Sequence, residues 1–282
     1  MTHFKDIIND ENFTILPGIY DALSAKLAEE AGAKSIFISG GALSITNLGK
    51  PDIGFLTLDD FVDAISKIKQ VVKIPIITDV DNGFGNAIHA GNTAKAVFHA
   101  GADGLQIDDQ ILPQSTPTTS KEAMDINLVI PKIKAMRENV HESFTIIFRT
   151  VANYNGDIKE AVDRANLAGE NGADAVYVDG LTTYNEVLYV SKNVNYPLLL
   201  NMNEKGYPAS LEIDEVKKLG FNIGLYPVST MAVAANATKK LLDTLMKDET
   251  TLSLREEMAN PLDIYNLFGL TDSVEYESKK YQ

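Results

Sequence analysis

One phrase recurs along the chain and constrains the fold more than any other feature. In each copy a helix end is followed by a glycine, a short link and an apolar run, as in EEAGAKSIFISGG, FHAGADGLQIDDQ, GENGADAVYVDGL and KKLGFNIGLYPVS. Glycine adopts the left-handed conformation that ends a helix, and a continuous apolar run is typical of a parallel strand buried on both faces. Gly32, Gly101 and Gly172 lie 69 and 71 positions apart, about twice the length of one strand-plus-helix unit. We therefore expect further units between these copies.

A search of the intervening segments completes a set of eight predicted strands. Between them lie amphipathic segments with helix-start signals, such as Thr57 with Asp60 and Asp157 with Glu160. Eight alternating units predict an α/β fold of the (β/α)8 TIM barrel type, and a doubly wound open sheet is the alternative. The predicted strands are 14–17, 35–39, 74–79, 104–108, 144–149, 175–179, 197–201 and 222–226.

Composition favours one domain and excludes several classes of partner. The 282 residues are 45% hydrophobic and 23% charged, with no composition break that indicates a linker. We expect a single barrel domain over 1–282, in which about 238–282 form an additional C-terminal helical extension that packs against another subunit. The net charge of -14 argues against nucleic acid and anionic membranes as partners. Without a long apolar run or a signal-peptide pattern, the chain is expected to be cytoplasmic.

Acidic residues follow two neighbouring predicted strands at the ends where barrel enzymes carry their reactive groups. The stretch TDVDNGFG places Asp79 and Asp81 after one strand, and Asp108 ends the next. The strand period of two predicts that Asp79 and Asp81 share a face, where their charges repel unless a cation joins them. Turn and helix-cap duty before Asn86 is the alternative. Oxygen ligands in a chain with no cysteine favour Mg²⁺ or Mn²⁺ over zinc.

Other polar groups are predicted at the same mouth of the barrel. The turn Ser39-Gly40-Gly41 is either only a tight turn or a cradle of backbone N–H groups for an anion. Arg149 ends an apolar run and must pair with an acid, which is either a structural partner or a substrate carboxylate. Asp109 is expected to point away from Asp108 and to bond to the backbone.

Together these motifs carry a resemblance to a known family. The segments PGIYDALSAKLAEEAGAKSIFISGG, TDVDNGFGNA, AGADGLQIDDQ, FRT, GADAVYVDGL and GLYPVST resemble the isocitrate lyase and phosphoenolpyruvate mutase superfamily, and most closely its methylisocitrate lyase and oxaloacetate decarboxylase branches. The resemblance runs from about Leu16 to the C-terminal region. It implies a TIM barrel, a homotetramer in which a C-terminal helix is exchanged between neighbours, and a Mg²⁺-bound 2-oxo acid or its enolate.

The resemblance also implies roles for individual residues. Asp79 matches the direct Mg²⁺ ligand, and the acids that hold the metal's waters match Asp52, Asp81 and Asp108. The remaining matches concern the substrate. The segment that receives the carboxylate and oxo group of the substrate matches Ser39, Gly40 and Gly41. The arginine that holds a substrate carboxylate matches Arg149. Further positions that line the substrate pocket match Tyr20, Asp179, Asn201 and Pro227.

Three departures from the family pattern bear on the reaction. Asp108 stands where the family usually has glutamate, and Val151 stands where lyases commonly have aspartate. The lyases carry a cysteine general acid or base in a loop of the K-K-C-G-H type, whereas this loop reads PQSTPTTSKEAM from Pro113. Its hydroxyl groups have pKa values too high to replace a thiol near neutral pH. A gating role over the site is expected for the segment 115–120.

These observations predict a Mg²⁺- or Mn²⁺-dependent lyase or decarboxylase that cleaves a C–C bond of a small anionic 2-oxo or dicarboxylic acid. Decarboxylation is favoured because bond breaking there needs no general acid, and the metal stabilises the enolate. Two alternatives remain open from the sequence. One is phosphonopyruvate or phosphoenolpyruvate P–C chemistry on the same metal platform, and the other is a barrel that only binds a metabolite.

Overall fold

Eight parallel strands form a nearly closed barrel in the computed structural model, which describes residues 3–10, 12–114 and 121–281. Hydrogen-bonded neighbours follow the order β6-β5-β4-β3-β2-β1-β8-β7, and a bridge between Val176 and Leu198 links β6 to the residue before β7. The predicted (β/α)8 architecture is confirmed. The strands are β1 Thr14–Ile19, β2 Ile36–Ile38, β3 Ile76–Asp79, β4 Gly104–Asp108, β5 Thr145–Thr150, β6 Ala175–Val178, β7 Leu199–Asn201 and β8 Ile223–Tyr226.

Helices alternate with the strands along the chain, and further helices follow the last strand. They are α1 Phe4–Ile8, α2 Ala22–Glu30, α3 Gly40–Leu43, α4 Leu58–Lys69, α5 Ala87–Ala100, α6 Ile126–Glu138, α7 Ile158–Glu170, α8 Tyr184–Asn193, α9 Ile213–Lys218, α10 Ser229–Asp248, α11 Pro261–Leu267 and α12 Leu270–Tyr281. A π-helical turn, Ser44–Leu48, follows α3, and 3₁₀ turns occupy Ala152–Asn155, Tyr207–Ser210 and Leu252–Glu257.

Local sequence signals account for these boundaries. The Thr57 side chain accepts a hydrogen bond from the backbone of α4, while Asp60 accepts one from the Thr57 N–H in return. Gly101 ends α5 with a φ of 107°, a left-handed conformation that a side chain at this position would strain. Each strand begins and ends within two residues of its prediction.

Two layers of apolar side chains hold the barrel. One lies between strands and helices, and the other fills the barrel interior, where α1 contributes the buried side chains of Phe4, Ile7 and Ile8. Because alternate strand residues face opposite sides, Asp79 shares the inner face with Ile77, and Arg149 shares it with Ile147. The interior thus changes from apolar to polar towards the C-terminal ends of the strands.

The chain divides into two compact units, one up to Thr230 and the other from Met231 onward. The barrel lies within the first unit. The second holds most of α10 together with α11 and α12, so the expected C-terminal helices are present, although α10 already begins at Ser229. Subunit exchange of these helices stays a prediction.

No helix among residues 3–10, 12–114 and 121–281 is long and apolar enough to span a membrane.

Candidate active site

A cavity of about 990 Å³ opens at the C-terminal ends of the strands. It is lined by many of the side chains predicted for the site, contributed by separate strands and loops of the barrel. Those that line it are Ser39, Gly41, Asp52, Asp79, Arg149, Asp179, Asn201 and Pro227. The structure therefore brings together residues that are up to 188 positions apart in the sequence.

Four predicted residues lie outside this lining. Gly40 and Asp108 lie directly behind it, against Asp79 and Arg149 respectively. Asp81 lines a neighbouring cavity of about 720 Å³ with Lys132. Tyr20 lines a groove with residues of α2 and α4 instead of the main cavity, so its predicted substrate contact has no support in this geometry.

The carboxyl groups of Asp79, Asp81 and Asp108 are buried, with 7%, 8% and 1% of each residue exposed. The pKa of Asp79 is raised to about 6. Burial is the largest cause, the charge of Arg149 opposes it, and the charges of Asp108 and Asp52 add to it. Burial and the neighbouring charge of Asp79 raise the pKa of Asp81 well above its usual range. The three acids form a site at which negative charge is costly without a cation.

Asp81 reaches this site by a different route from the one predicted. Strand β3 ends at Asp79, and Asp81 lies beyond it with a left-handed φ of 47°. The Asp81 N–H donates to Asp79 Oδ1 at 3.1 Å, and the Asp81 carbonyl accepts from the Asp108 N–H at 2.9 Å. A tight turn, rather than strand alternation, thus places Asp81 beside the other acids.

Arg149 supplies part of the compensating charge. Its Nη2 pairs with Asp108 Oδ2, and its Nη1 donates to the Tyr177 hydroxyl at 3.4 Å. Asp108 and Arg149 are directly opposite each other in the register of β4 and β5. The Arg149 Nε is buried and has no hydrogen-bond partner among the described residues. Arg149 therefore has the structural partner that one alternative foresaw, and its side chain also lines the main cavity.

Lys132, a second buried cation, was not singled out from the sequence. It lies on α6 with 3% exposure, and its Nζ donates to the Asn82 carbonyl at 2.9 Å. Burial lowers its pKa, and the charge of Asp108 opposes that effect. The sequence around Lys132 has the pattern of an ordinary amphipathic helix, so no sequence signal indicated that this lysine lies near the acids.

Ser39, Gly40 and Gly41 bring the backbone close to the acids. Ser39 caps α3 and its Oγ accepts from the Ala42 N–H at 3.3 Å. A methyl carbon added at Gly40 would lie 2.9 Å from Asp79 Oδ2, and one at Gly41 would lie 3.0 Å from Asp52 Oδ2. A side chain at either position would push against a carboxylate of the site, because the backbone lies close to these groups.

The same residues fit a hard divalent cation. Their oxygen donors, the buried like charges and the close glycine backbone are the features that Mg²⁺ or Mn²⁺ sites use. Among the described residues, no three acidic or histidine side chains are grouped so that they could together hold a metal ion directly.

Asp179 organises the opposite wall of the cavity. It accepts hydrogen bonds from Asn201 Nδ2 at 3.2 Å and from the Gly180 N–H at 3.0 Å, and Lys121 Nζ lies 3.5 Å away. Burial opposes its ionisation, but Lys121 and Arg149 hold the pKa of Asp179 below its usual range. Lys121 went unnoticed in the sequence because its partner lies 58 positions further along the chain.

Two other predictions concern the loop after β4. Asp109 bonds away from the site, as expected: it accepts from the Val151 N–H and the Thr150 hydroxyl, both at 2.8 Å, and pairs with Arg164 at 3.1 Å. Gln114 accepts a hydrogen bond from Gln110 Nε2 at 2.8 Å. The segment predicted to gate the site, 115–120, lies outside the described residues.

Comparison with known proteins identifies the family. Residues 4–246 match the family model of phosphoenolpyruvate phosphomutase. The chain belongs to the isocitrate lyase and phosphoenolpyruvate mutase superfamily. The resemblance stated from the sequence motifs is thereby confirmed. Members of this superfamily are lyases and mutases that act on small carboxylic acids.

Three similar members represent the superfamily's range. The chain is 31% identical over 274 residues to 2-methylisocitrate lyase of Aeropyrum pernix, covering 95% of this chain and 87% of that one. Oxaloacetate acetylhydrolase in complex with 3,3-difluorooxalacetate superposes with a TM-score of 0.89 at 26% identity, covering 98% and 95% of the two chains. Phosphonopyruvate hydrolase in complex with oxalate and Mg²⁺ gives a TM-score of 0.89 at 25% identity, covering 99% and 97%.

Proposed function

We propose that the protein is a Mg²⁺- or Mn²⁺-dependent enzyme that cleaves a C–C bond of a small 2-oxo or dicarboxylic acid. The observation that carries this proposal is the grouping of buried Asp79, Asp81 and Asp108 with Arg149 at the C-terminal mouth of the barrel. Oxaloacetate acetylhydrolase, which the chain resembles along most of its length, is named for a 2-oxo dicarboxylic acid.

Asp79 would hold the metal directly, and Asp52, Asp81 and Asp108 would hold its waters. When bound, the cation supplies a Lewis acid next to the oxo group of the substrate. The structure of phosphonopyruvate hydrolase with oxalate and Mg²⁺ supports a metal and a two-carboxylate ligand in a related barrel.

The protein's own groups would bind and orient the acid. Arg149, which lines the cavity, would hold a substrate carboxylate while its pair with Asp108 fixes the guanidinium plane. The backbone of Ser39 to Gly41 would face the oxygen on which negative charge develops. Asp179 and Asn201 form the polar wall on the other side of the cavity.

Decarboxylation of a 2-oxo acid suits this chain better than reverse aldol cleavage. Reverse aldol cleavage of a hydroxy acid needs a base for its hydroxyl group and an acid for the departing carbon. The chain has no cysteine to serve in either role. In a decarboxylation the C–C bond breaks without proton transfer, and a proton is needed only afterwards.

A second candidate is cleavage or transfer at a P–C bond. It is favoured by the match to the phosphoenolpyruvate phosphomutase family model and by the similarity to phosphonopyruvate hydrolase. The resemblance to the superfamily implies an asparagine-serine pair in the loop after β4 for such enzymes. This loop, PQSTPTTSKEAM, lacks that pair, so we place this candidate second.

Product analysis separates these reactions. The protein would be incubated with oxaloacetate, 2-methylisocitrate or phosphonopyruvate in Mg²⁺ buffer, and products would be followed by carbon and phosphorus NMR. We expect C–C cleavage products in Mg²⁺ and none in EDTA, and Asp79→Ala should lose turnover while remaining folded. Phosphate release from phosphonopyruvate alone would favour the second candidate. Ligand-induced thermal stabilisation without any turnover would indicate a binding protein.

We also propose that the C-terminal helices pack on a neighbouring subunit of a homotetramer. Val233 and Met246 on α10 and Tyr265 on α11 are 69%, 74% and 62% exposed. Apolar side chains exposed on successive helices indicate an interaction surface. Light scattering coupled to gel filtration tests the assembly, and a monomeric mass would contradict it.

A further inference from the structure

Lys121 has a cationic side chain in the candidate active site for which neither the sequence motifs nor the proposed function provides a role. It lines the same cavity as Ser39, Asp79 and Arg149, and its side chain is 17% exposed. It directly follows the segment 115–120, the part of the chain in which the related lyases have their cysteine acid.

Neighbouring groups hold the Lys121 ammonium at the wall of the cavity. Its Nζ lies 3.5 Å from Asp179 Oδ2 and 5.5 Å from the centre of the Tyr154 ring. Asp179 is itself fixed by Asn201, by the Gly180 N–H and by the Tyr154 hydroxyl at 3.5 Å. An ammonium beside an ionised carboxylate and an aromatic face is restrained in position.

We propose that Lys121 is the general acid of the reaction, which protonates the carbon that carries the electron pair after bond cleavage. This inference rests on the proposed function. Asp179 is a positioning residue for Lys121, because it contacts the ammonium and not the reacting carbon.

For a 2-oxo acid with a 3-carboxylate, the proposed step balances as follows. The electrons of the breaking C–C bond form the enolate as CO₂ leaves. The enolate carbon then takes a proton from Lys121 Nζ, which forms a C–H bond and restores the C=O group. Lys121 is left as a neutral amine and regains its proton from water, so one proton is consumed per turnover.

Other groups at the cavity are poorer proton donors. The Arg149 guanidinium does not release its proton in proteins. Burial raises the pKa of the Tyr154 and Tyr177 hydroxyls, and the charge of Asp179 raises it further. A lysine ammonium is protonated at neutral pH, and its ordinary pKa lies close to that of an unperturbed phenol, so it is a stronger acid than these two shifted hydroxyls. Lys205 also lines the cavity, but it is exposed, whereas Lys121 combines an available proton with a position fixed by Asp179 and Tyr154.

Two substitutions distinguish a proton donor from a simple anion anchor. Lys121→Arg retains a positive charge beside Asp179 but cannot donate a proton at neutral pH, whereas Lys121→Met removes both properties. The probe is 2-oxobutanoate in D₂O with Mg²⁺ at about pD 9, where a lysine amine is partly neutral. The neutral amine removes a C3 hydrogen and the deuterated ammonium returns a deuteron, so the exchange reports proton transfer at carbon without bond cleavage. Lys95→Met, at an exposed position on α5, is the matched control.

We expect the native protein and Lys95→Met to exchange one C3 hydrogen stereospecifically. Both Lys121 variants should lose about 100-fold or more of this rate, the usual contribution of general acid catalysis. Lys121→Arg should still bind oxalate within a few-fold of the native protein in calorimetry, which shows that its cavity is intact.

Exchange by Lys121→Arg within three-fold of the native rate would overturn the assignment. So would loss of exchange in Tyr154→Phe with normal exchange in Lys121→Arg, because the hydroxyl would then be the donor. If the native protein neither exchanges 2-oxobutanoate nor turns over any acid of the substrate panel, the proposed function fails as well. Turnover by the native protein with unimpaired exchange in Lys121→Arg refutes only the role of Lys121.

Discussion

Neutralising Asp79 should stabilise the metal-free protein while abolishing its activity. The carboxyl is 7% exposed, and its pKa is raised from 3.8 to about 6. At pH 7.5, a difference of this size corresponds to about 3 kcal/mol of unfavourable free energy in the folded state. Asp79→Asn removes the charge and keeps an Oδ1 that accepts from the Asp81 N–H and Gln106 Nε2. The expected gain is therefore about 3 kcal/mol, or about 6 to 12 °C in Tm.

The pH dependence has a defined sign. The folded protein binds the Asp79 proton more tightly than the unfolded chain, so the carboxyl's contribution to stability falls as pH rises from about 4 to about 6. The advantage of Asp79→Asn should be full at pH 7.5, about half as large near pH 5, and absent once both states are protonated.

Urea and thermal unfolding in EDTA at pH 7.5 and pH 5 measure this difference. Asp59→Asn, an exposed substitution on α4, is the control and should change stability by no more than about 0.5 kcal/mol. Added Mg²⁺ should stabilise the native protein and not Asp79→Asn. A destabilised Asp79→Asn in EDTA, or a gap that widens towards pH 5, would refute the electrostatic account of the site.

Three further perturbations test other parts of the structure. Arg164→Met leaves the buried Asp109 without its cation and should lower the free energy of unfolding by about 3–5 kcal/mol in urea titrations; a loss below 1 kcal/mol would contradict this role. Gly40→Ala places a methyl group 2.9 Å from Asp79 Oδ2. The affinity for Mn²⁺, measured by calorimetry, should therefore fall at least ten-fold with little change in Tm. An unchanged affinity would show that Gly40 does not lie at the metal site. Arg149→Lys should reduce kcat/KM at least 100-fold because a single ammonium cannot both pair with Asp108 and hold a carboxylate, and near-normal kinetics would argue against the clamp.

The barrel was predictable because its signals are local. Glycines that end helices, such as Gly101, precede four of the eight strands, and apolar runs indicate the others without knowledge of distant contacts. The strand order then brings residues at strand ends together by topology alone. For example, β3 pairs with β4 and β4 with β5, so Asp79, Asp108 and Arg149 converge from three consecutive strands.

The charge balance of the site was not predictable in the same way. The sequence indicated that three acids need a cation, but in the structure Arg149 pairs with Asp108, and the buried Lys132 also interacts with the charge of Asp108. Their contributions depend on side-chain packing between elements far apart in the chain. Asp81 also follows a left-handed turn that the strand period did not anticipate, and Lys121 meets Asp179 only through tertiary structure.

A crystal soaked with Mn²⁺ and oxalate tests the central claim most directly, because anomalous scattering locates the ion without assumptions about the reaction. We predict one anomalous peak about 2.1 Å from a carboxylate oxygen of Asp79, with oxalate between the ion and Arg149 and with waters linking the ion to Asp52, Asp81 and Asp108. An ion bound elsewhere in the barrel, or oxalate bound with no metal beside Asp79, would contradict the account.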